Sequence, residues 1–287
     1  MALHPGEKAV LQIKDRSGSQ WILSDGSGDE VLMNESEIEE GREIGEEIEV
    51  FLYRNRQGGI SATPMIPHIL PSIYGWAKVL KVSKREGAVV DIGTTREVYL
   101  LPADLPQFEE LWPQQGDHIF MTIRTDRYGD LYGRLATEEK VNELYVDAPT
   151  SVYNQDLKAR AYRLLPVGTF MISVPEMYRI FVHETEREEE PRLGEEKTVR
   201  IIGVKDDGTL NGSLLPRKQE RLSDDAETIM RYLTESGGQM PFGDKSSPEE
   251  IQEMFGMSKA AFKRALGRLY KDRRIVQEDG WTKLQQH

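Results

Sequence analysis

The sequence predicts a mostly β protein with an α+β domain at its C-terminus. A hairpin-like segment occurs three times, at residues 45–63, 116–133 and 194–212, and each copy has two strand-like runs around a polar tip that contains glycine. After residue 216 the spacing of apolar residues changes from two to about 3.6, the period of a helix. Three similar β modules in series, followed by a helical module, are therefore expected.

Composition excludes several classes of protein. With 287 residues the chain can form two to four compact domains, and it contains no cysteine for disulfides, thiolate metal sites or nucleophiles. No apolar run approaches the roughly 20 residues of a membrane span, and the first residues do not resemble a signal peptide. The five histidines lie far apart, and phosphate-loop, zinc-protease and nucleophile-elbow motifs are absent from the sequence. We therefore predict a cytoplasmic protein without membrane contact that is not an enzyme and needs neither cofactor nor metal.

Charge is distributed unevenly along the chain, whose net charge is −12. Residues 1–66 hold 6 Lys and Arg against 13 Asp and Glu, so this segment carries −7, and a protein partner is one possibility for it. Residues 258–274 hold seven cations and a single acid, Asp272. Because affinity for nucleic acids comes mainly from neutralising phosphates, the C-terminal end is the better candidate for such binding.

The first domain is predicted at residues 1–66, with strands near 9–14, 21–23 and 30–34 before its hairpin. The second, 67–140, follows a proline-rich joint and has strands near 75–82, 87–92 and 97–101. A short helical or irregular connector at 137–156 leads to the third, 150–216, with strands near 158–165, 168–173 and 178–183. Alternation of apolar and polar residues supports each strand.

The last domain is predicted at residues 221–287. Ser223, Ser247 and Ser258 can each cap a helix, because a serine hydroxyl accepts a hydrogen bond from a free backbone amide of the first turn. Two short strands at 274–277 and 280–284 close the chain. This order of three helices and a β-hairpin is that of a winged helix-turn-helix.

Five strands in about 70 residues, with a short helical segment between strands three and four, match the oligonucleotide-binding (OB) barrel. The third module also resembles the S1-type RNA-binding domain, because Gly168-Thr-Phe170 and Ile180-Phe-Val-His183 match its motifs on strands two and three. Asn34 in the first module and Leu101 in the second stand where this histidine would be. The first two modules are therefore expected to be degenerate as RNA readers.

The whole chain resembles the conserved virulence factor B family, most specifically in the segment from Met240 to Lys271. The resemblance implies three S1-type domains, a C-terminal winged helix and an RNA-binding regulator of gene expression without catalytic residues. Single-stranded RNA is then the expected partner, held by stacking on aromatic rings and by cations along its backbone. The alternative is a DNA-binding transcription regulator in which the winged helix binds duplex nucleic acid and the β modules act as protein adaptors.

Candidate RNA-binding residues fall into three groups. In the third module, Phe170 and His183 are the leading stacking candidates, and Tyr178 and Arg163 could add a ring and a charge. The other two groups are basic: Lys81, Lys84 and Arg85 in the second module, and Lys259, Lys263, Arg264, Arg268 and Lys271 in the third helix of the last domain. Structural alternatives stay open, since Phe170 could fill a barrel core, the lysines could protect a sheet edge, and the winged helix could dock a protein. Trp281 in the wing is expected to cap the core.

Overall fold

The computed structural model describes residues 3–38, 41–94, 96–278 and 280–285, and within a helix it does not describe the side chains of residues 218–223. The chain forms two compact units, Met1–Leu214 and Leu215–His287. Within the described part, every helix is too short or too polar to span a bilayer. The predicted fold class is confirmed: three closed five-stranded barrels precede a winged helix.

The first barrel contains five strands in the order β1-β2-β3-β5-β4. Their bounds are β1 Lys8–Ser17, β2 Gln20–Ser24, β3 Glu30–Asn34, β4 Glu47–Arg54 and β5 Ile60–Thr63. Period-two patterning places alternate residues inside, so that Leu11, Ile13 and Leu23 are fully buried. The barrel therefore has an apolar interior and an outer surface on which side chains are free to differ between copies.

The second and third barrels repeat this arrangement. The strands of the second are β6 Gly75–Ser83, β7 Gly87–Asp91, β8 Val98–Leu100, β9 His118–Thr125 and β10 Leu131–Leu135. Helix α1 (Glu138–Leu144) connects it to the third, whose strands are β11 Asp156–Leu165, β12 Gly168–Ser173, β13 Arg179–His183, β14 Glu196–Val204 and β15 Leu210–Ser213. The barrels are observed; the domain boundaries given above stay a prediction.

Neighbouring barrels share contacts. Phe51 and Tyr53 of β4 belong to the same buried cluster as the interior of the second barrel. Between the second and third barrels, the His118 amide donates to the Gly194 carbonyl at 3.1 Å. Gly194 has φ +82°, and a Cβ there would lie 2.7 Å from the His118 carbonyl oxygen, so this close approach requires glycine.

The C-terminal unit has its own core. It contains α2 Lys218–Glu235, β16 Gln239–Met240, α3 Pro248–Phe255, α4 Lys259–Lys271, β17 Ile275–Glu278 and β18 Trp281–Leu284, with sheet order β16-β18-β17. Ser247 and Ser258 cap α3 and α4, as predicted. The expectation that Ser223 caps α2 is wrong: the helix begins at Lys218, because residues 218–222 (Lys-Gln-Glu-Arg-Leu) are themselves good helix formers.

Candidate nucleic-acid interface

The outer surface of the third barrel carries a row of rings on β12 and β13. Phe170 of β12 is paired with Phe181 of β13, and His183 is paired with Gly168. The ring centroids of Phe170 and Phe181 are 4.9 Å apart, and those of Phe181 and His183 are 6.3 Å apart. All three side chains are partly exposed, while the intervening Ile180 and Val182 are buried inside the barrel. We call Phe170, Phe181 and His183 the aromatic ladder.

Phe170 has two roles in this arrangement. It does not fill the barrel interior, but its ring packs at the border of a separate cluster that includes the buried side chains of Phe120 and Tyr162. The Phe170 and Tyr162 centroids are 6.2 Å apart. The Arg179 guanidinium lies 4.7 Å from the Phe170 centroid. Phe170 is therefore partly covered, which leaves Phe181 as the central ring of the ladder.

Glu138 of α1 binds the cations beside the ladder. Arg163 donates to its carboxylate at 3.0 Å, the Tyr162 hydroxyl donates at 3.1 Å, and Arg179 forms a further ion pair. We call Glu138, Tyr162, Arg163 and Arg179 the Glu138 cluster. Burial acts to raise the pKa of Glu138, but hydrogen bonds and charge from Arg163 and Arg179 outweigh it and hold the pKa below its ordinary range. Burial raises the pKa of Tyr162 to about 12.

His183 also has a local structural contact. Its Nδ1 accepts a hydrogen bond from the Thr185 amide at 3.2 Å and so caps the short 3₁₀ turn that follows β13. Asn34 caps the equivalent turn of the first barrel, where its Oδ1 accepts from the Ser36 amide at 3.1 Å. At Leu101 in the second barrel no side-chain cap is formed. Capping accounts for a hydrogen-bonding residue at this position and fixes the orientation of the imidazole beside Phe181.

The structure does not bring Tyr178 into the ladder. Its side chain is partly buried against the interior cluster of the third barrel, and its amide donates to the Ser173 hydroxyl at 3.0 Å. Tyr178 directly precedes β13 and has the same parity as the inward-facing Ile180 and Val182. By the same alternation Arg179 and Phe181, which were not selected from the sequence, share the outward side with His183.

The strand registers show how the three outer surfaces differ. Each first strand has a bulge at the same place, which pairs Asp15 with Ile22, Lys81 with Val89 and Arg163 with Phe170. The next strand adds Leu32, Tyr99 and Phe181, respectively. Across these equivalent positions the surface changes from acidic and aliphatic in the first barrel to basic and aromatic in the third. Lys81 of the second barrel thus occupies the place of Arg163.

The other two basic candidates of the second barrel lie in the β6–β7 turn. Lys84 and Arg85 are exposed, and the Lys84 ammonium lies 2.5 Å from a carboxylate oxygen of Glu109. Neither residue lies on the strands whose positions were compared among the three barrels. The aromatic residue of the second barrel at the position of Phe181 is Tyr99, one strand beyond the Val89 that pairs with Lys81. Tyr99 is itself paired with Tyr132 of β10. Period-two alternation in β8 and β10 could have pointed to both tyrosines.

In the C-terminal unit, α4 presents its basic residues away from the core. Phe262, Ala265, Leu266 and Leu269 are buried, whereas Lys263, Arg264, Arg268 and Lys271 are exposed and Lys259 is partly exposed. Among described residues, Arg268 is the member of this set with an ion-pair partner, Asp272 at 3.8 Å. Trp281 is 42% exposed and is not part of the core cluster, so the expectation that it caps the core is wrong. Trp281 is the first residue of β18, next to the turn of the wing, and its side chain is exposed to solvent.

Comparison with known proteins matches all four modules. Residues 5–64 match a model of the S1 domain, and residues 74–134 match the CvfB first S1-like domain. Residues 141–216 match the second domain of virulence regulatory factor CvfB, and 227–284 the CvfB-like winged helix domain. A conserved virulence factor B of Staphylococcus saprophyticus is 48% identical over 98% of this chain and 94% of its own. The chain belongs to the conserved virulence factor B family.

Other relatives agree with this membership. A conserved virulence factor B of Staphylococcus aureus is 46% identical over 96% of this chain and 92% of its own length. A solved structure of a multidomain protein with nucleic acid binding domains from Streptococcus pneumoniae is 33% identical, covers 98% of each chain and has a TM-score of 0.68. The S1 and winged-helix domains of the family point to a nucleic-acid-binding regulator. Within the described residues no group of three or more His, Asp or Glu could hold a metal ion.

Proposed function

We propose that this family member is a regulator of gene expression that binds single-stranded RNA on the outer surface of its third barrel. The observation that carries the proposal is the aromatic ladder, whose rings lie side by side on adjacent strands with Arg163 and Arg179 next to them. Open rings can stack on unpaired bases of any sequence, and neighbouring guanidiniums can contact the phosphates. Regulation would then act after transcription, on RNA.

The test replaces Phe181 by leucine, which keeps an apolar side chain but removes the flat ring. Loss of one base stack costs about 1–3 kcal/mol, so we expect the Kd for a single-stranded RNA to rise about 5- to 150-fold. Phe108→Leu is the matched control, because Phe108 is 60% exposed and lies outside the ladder. Fluorescence anisotropy with labelled RNA measures both variants. Equal affinity of Phe181→Leu and the unsubstituted protein would contradict stacking at the ladder.

A second candidate function is duplex binding by the winged helix, favoured by the exposed cations of α4 and the exposed Trp281. In winged-helix proteins such a helix can enter the major groove. Competition between a short single-stranded RNA and a duplex DNA for the full-length protein separates the two functions. Substituting Lys263, Arg264 and Lys271 by glutamate removes duplex binding if α4 provides it and leaves the short RNA bound. Tight, sequence-selective duplex binding by the unsubstituted protein would favour the DNA-binding alternative.

A further inference from the structure

A cleft of about 730 Å³ lies between the first two barrels. Its walls include four arginines, Arg54, Arg124, Arg127 and Arg134, although the first barrel belongs to the most acidic part of the chain. Tyr128, at the tip of the β9–β10 hairpin, is 58% exposed and lines the same cleft. Three of these residues were not among the RNA-binding candidates selected from the sequence: Arg127, Tyr128 and Arg134.

The walls of the cleft are held in place by specific contacts. Arg54 of the first barrel donates to the carboxylate of Asp130 in the second barrel at 2.9 Å. The Asp126 carboxylate accepts from the backbone amides of Tyr128 at 2.8 Å and Asp130 at 3.0 Å, which fixes the hairpin tip. A Cβ on Gly129 would lie 2.9 Å from Pro5, so the tip lies directly against the first barrel. The cleft is therefore preorganised.

These contacts also determine which charges are available. Asp130 is paired with Arg54, Arg124 is paired with Asp104 at 3.1 Å, and Asp126 is bound by backbone amides. Glu7 is the remaining carboxylate of the lining. Arg127 and Arg134 are exposed and form no ion pair within the described part of the chain; the Arg127 guanidinium lies 4.6 Å from the Tyr128 ring centroid. The cleft therefore presents two guanidiniums without an ion-pair partner in the described residues and a ring that is 58% exposed, which suits an anionic, aromatic ligand.

Side-chain contacts connect this cleft with the aromatic ladder. Tyr74 lines the cleft, and its ring centroid is 6.2 Å from that of Phe120. Phe120 belongs to the cluster that also contains Tyr162 and Phe170. The cleft and the ladder are therefore connected through one aromatic cluster within a single compact unit.

We infer that the cleft between the first two barrels is a second contact surface for the same single-stranded RNA, with Arg127 and Arg134 binding phosphates and Tyr128 stacking on a base. This inference rests on the proposed function, because it extends the RNA path from the third barrel. The chemistry recognised is a phosphodiester backbone with unpaired bases. The surface lies outside the strands that carry the aromatic ladder.

Two oligouridylates test the inference with the full-length protein. One of about 5 nucleotides fits on a single OB surface, and one of about 20 nucleotides can extend further. Arg127→Gln combined with Arg134→Gln should weaken the long RNA several-fold and leave the short RNA unchanged. The slope of log K against log salt for the long RNA should shrink by about 1.4, since each lost phosphate contact to a single strand contributes about 0.7.

The control is Arg42→Gln combined with Arg231→Gln, which removes two exposed cations outside the cleft. It should leave the affinity for both oligomers unchanged. If the cleft variant bound the long RNA with unaltered affinity and salt slope, the inference would be overturned. The proposal that RNA binds at the aromatic ladder would not be affected. Absence of binding of either RNA by the unsubstituted protein would instead reject the proposed function together with its extension. Thermal unfolding of each variant checks that the barrels remain folded.

Discussion

Glu138 is the residue that sets the charge beside the aromatic ladder. Its carboxylate accepts from Arg163 and Tyr162 and pairs with Arg179, so the two arginines are partly neutralised. Glu138→Gln removes one negative charge next to the proposed RNA path, and we expect a tighter complex and a steeper salt dependence. The substitution should also lower the free energy of unfolding by about 1–3 kcal/mol, because hydrogen bonds to a charged group are lost. Titration with RNA and denaturant unfolding measure the two effects.

Glu139→Gln is the matched control, because Glu139 is an exposed neighbour on α1 outside the Glu138 cluster. It removes the same charge but none of the cluster contacts. Equal RNA affinity for Glu138→Gln and the unsubstituted protein would show that the arginines beside the ladder do not contact phosphates.

The stability contributed by Glu138 should depend on pH in one direction. Its folded-state pKa lies below the ordinary 4.5, so the folded protein binds fewer protons at this group than the unfolded chain. The contribution of Glu138 to the free energy of unfolding is therefore fully present above about pH 4.5, and it is lost as the pH falls through the lowered pKa. We expect the difference in unfolding free energy between the unsubstituted protein and Glu138→Gln to be constant from pH 7 to about 5.5. A difference that shrank between pH 7 and 6 would assign the effect to another group.

Strand alternation predicted which side of a strand a position faces better than the sequence motifs predicted which individual residues form the site. Phe170 and His183 were found from a motif. Phe181 lies between them on the same surface and was not selected, although period-two alternation alone could have pointed to it. Tyr178 was selected because it is aromatic, although its parity places it on the inner side of β13. The Glu138 cluster could not be predicted, because it joins residues 25 and 41 positions apart through packing of α1 between two barrels.

At the scale of elements, the β12–β13 pair explains the glycine of the Gly-x-Phe motif. A Cβ on Gly168 would lie 2.4 Å from the Val182 carbonyl oxygen and 2.6 Å from the Phe181 ring. Gly168→Ala must therefore displace the strand pair or the ring, and we expect a loss of about 1–3 kcal/mol of stability, as in other overpacked sites. RNA affinity should fall as well, because Phe181 moves. Thermal unfolding and RNA titration of the same variant measure both.

Gly59→Ala provides the comparison for this substitution. Gly59 lies in the β4–β5 tip, where a Cβ would approach the Asn55 side chain at 3.4 Å, an ordinary contact distance. We expect little change in stability or RNA affinity there. If Gly168→Ala were equally harmless, the close approach of β12 to β13 would not constrain this position.

The repeated elements were the most predictable part of the fold. Alternation identified all fifteen barrel strands, because each barrel has a continuous apolar interior and an exposed outer surface. Strand β16 was missed, since two residues, Gln239 and Met240, carry no periodic signal. The cleft between the first two barrels was also missed, because its arginines are scattered along the sequence and meet only when the barrels pack together.

At the scale of the whole molecule, binding of RNA by a chain of net charge −12 requires that acidic and basic surfaces be separated. The residue that follows the bulge in the first strand of each barrel shows this separation within one unit. It is Asp15 in the first barrel, Lys81 in the second and Arg163 in the third. The second unit has its own buried core, which includes Ile229, Leu233 and Phe262. Each unit can therefore respond to a ligand through its own unfolding equilibrium.

Calorimetry of the full-length protein with a short RNA tests which unit binds it. A ligand that binds only the native state stabilises the unit that holds it, by about 2.7 kcal/mol at 100 times its Kd. Because the ladder and the cleft both lie in Met1–Leu214, an oligouridylate of about 5 nucleotides should raise the unfolding midpoint of that unit and leave the C-terminal unit unchanged. Leu233→Ala, which should destabilise the C-terminal core by about 2–5 kcal/mol, identifies its transition in the thermogram. A shift of the Leu233-sensitive transition alone would place RNA on the winged helix and contradict binding at the third barrel.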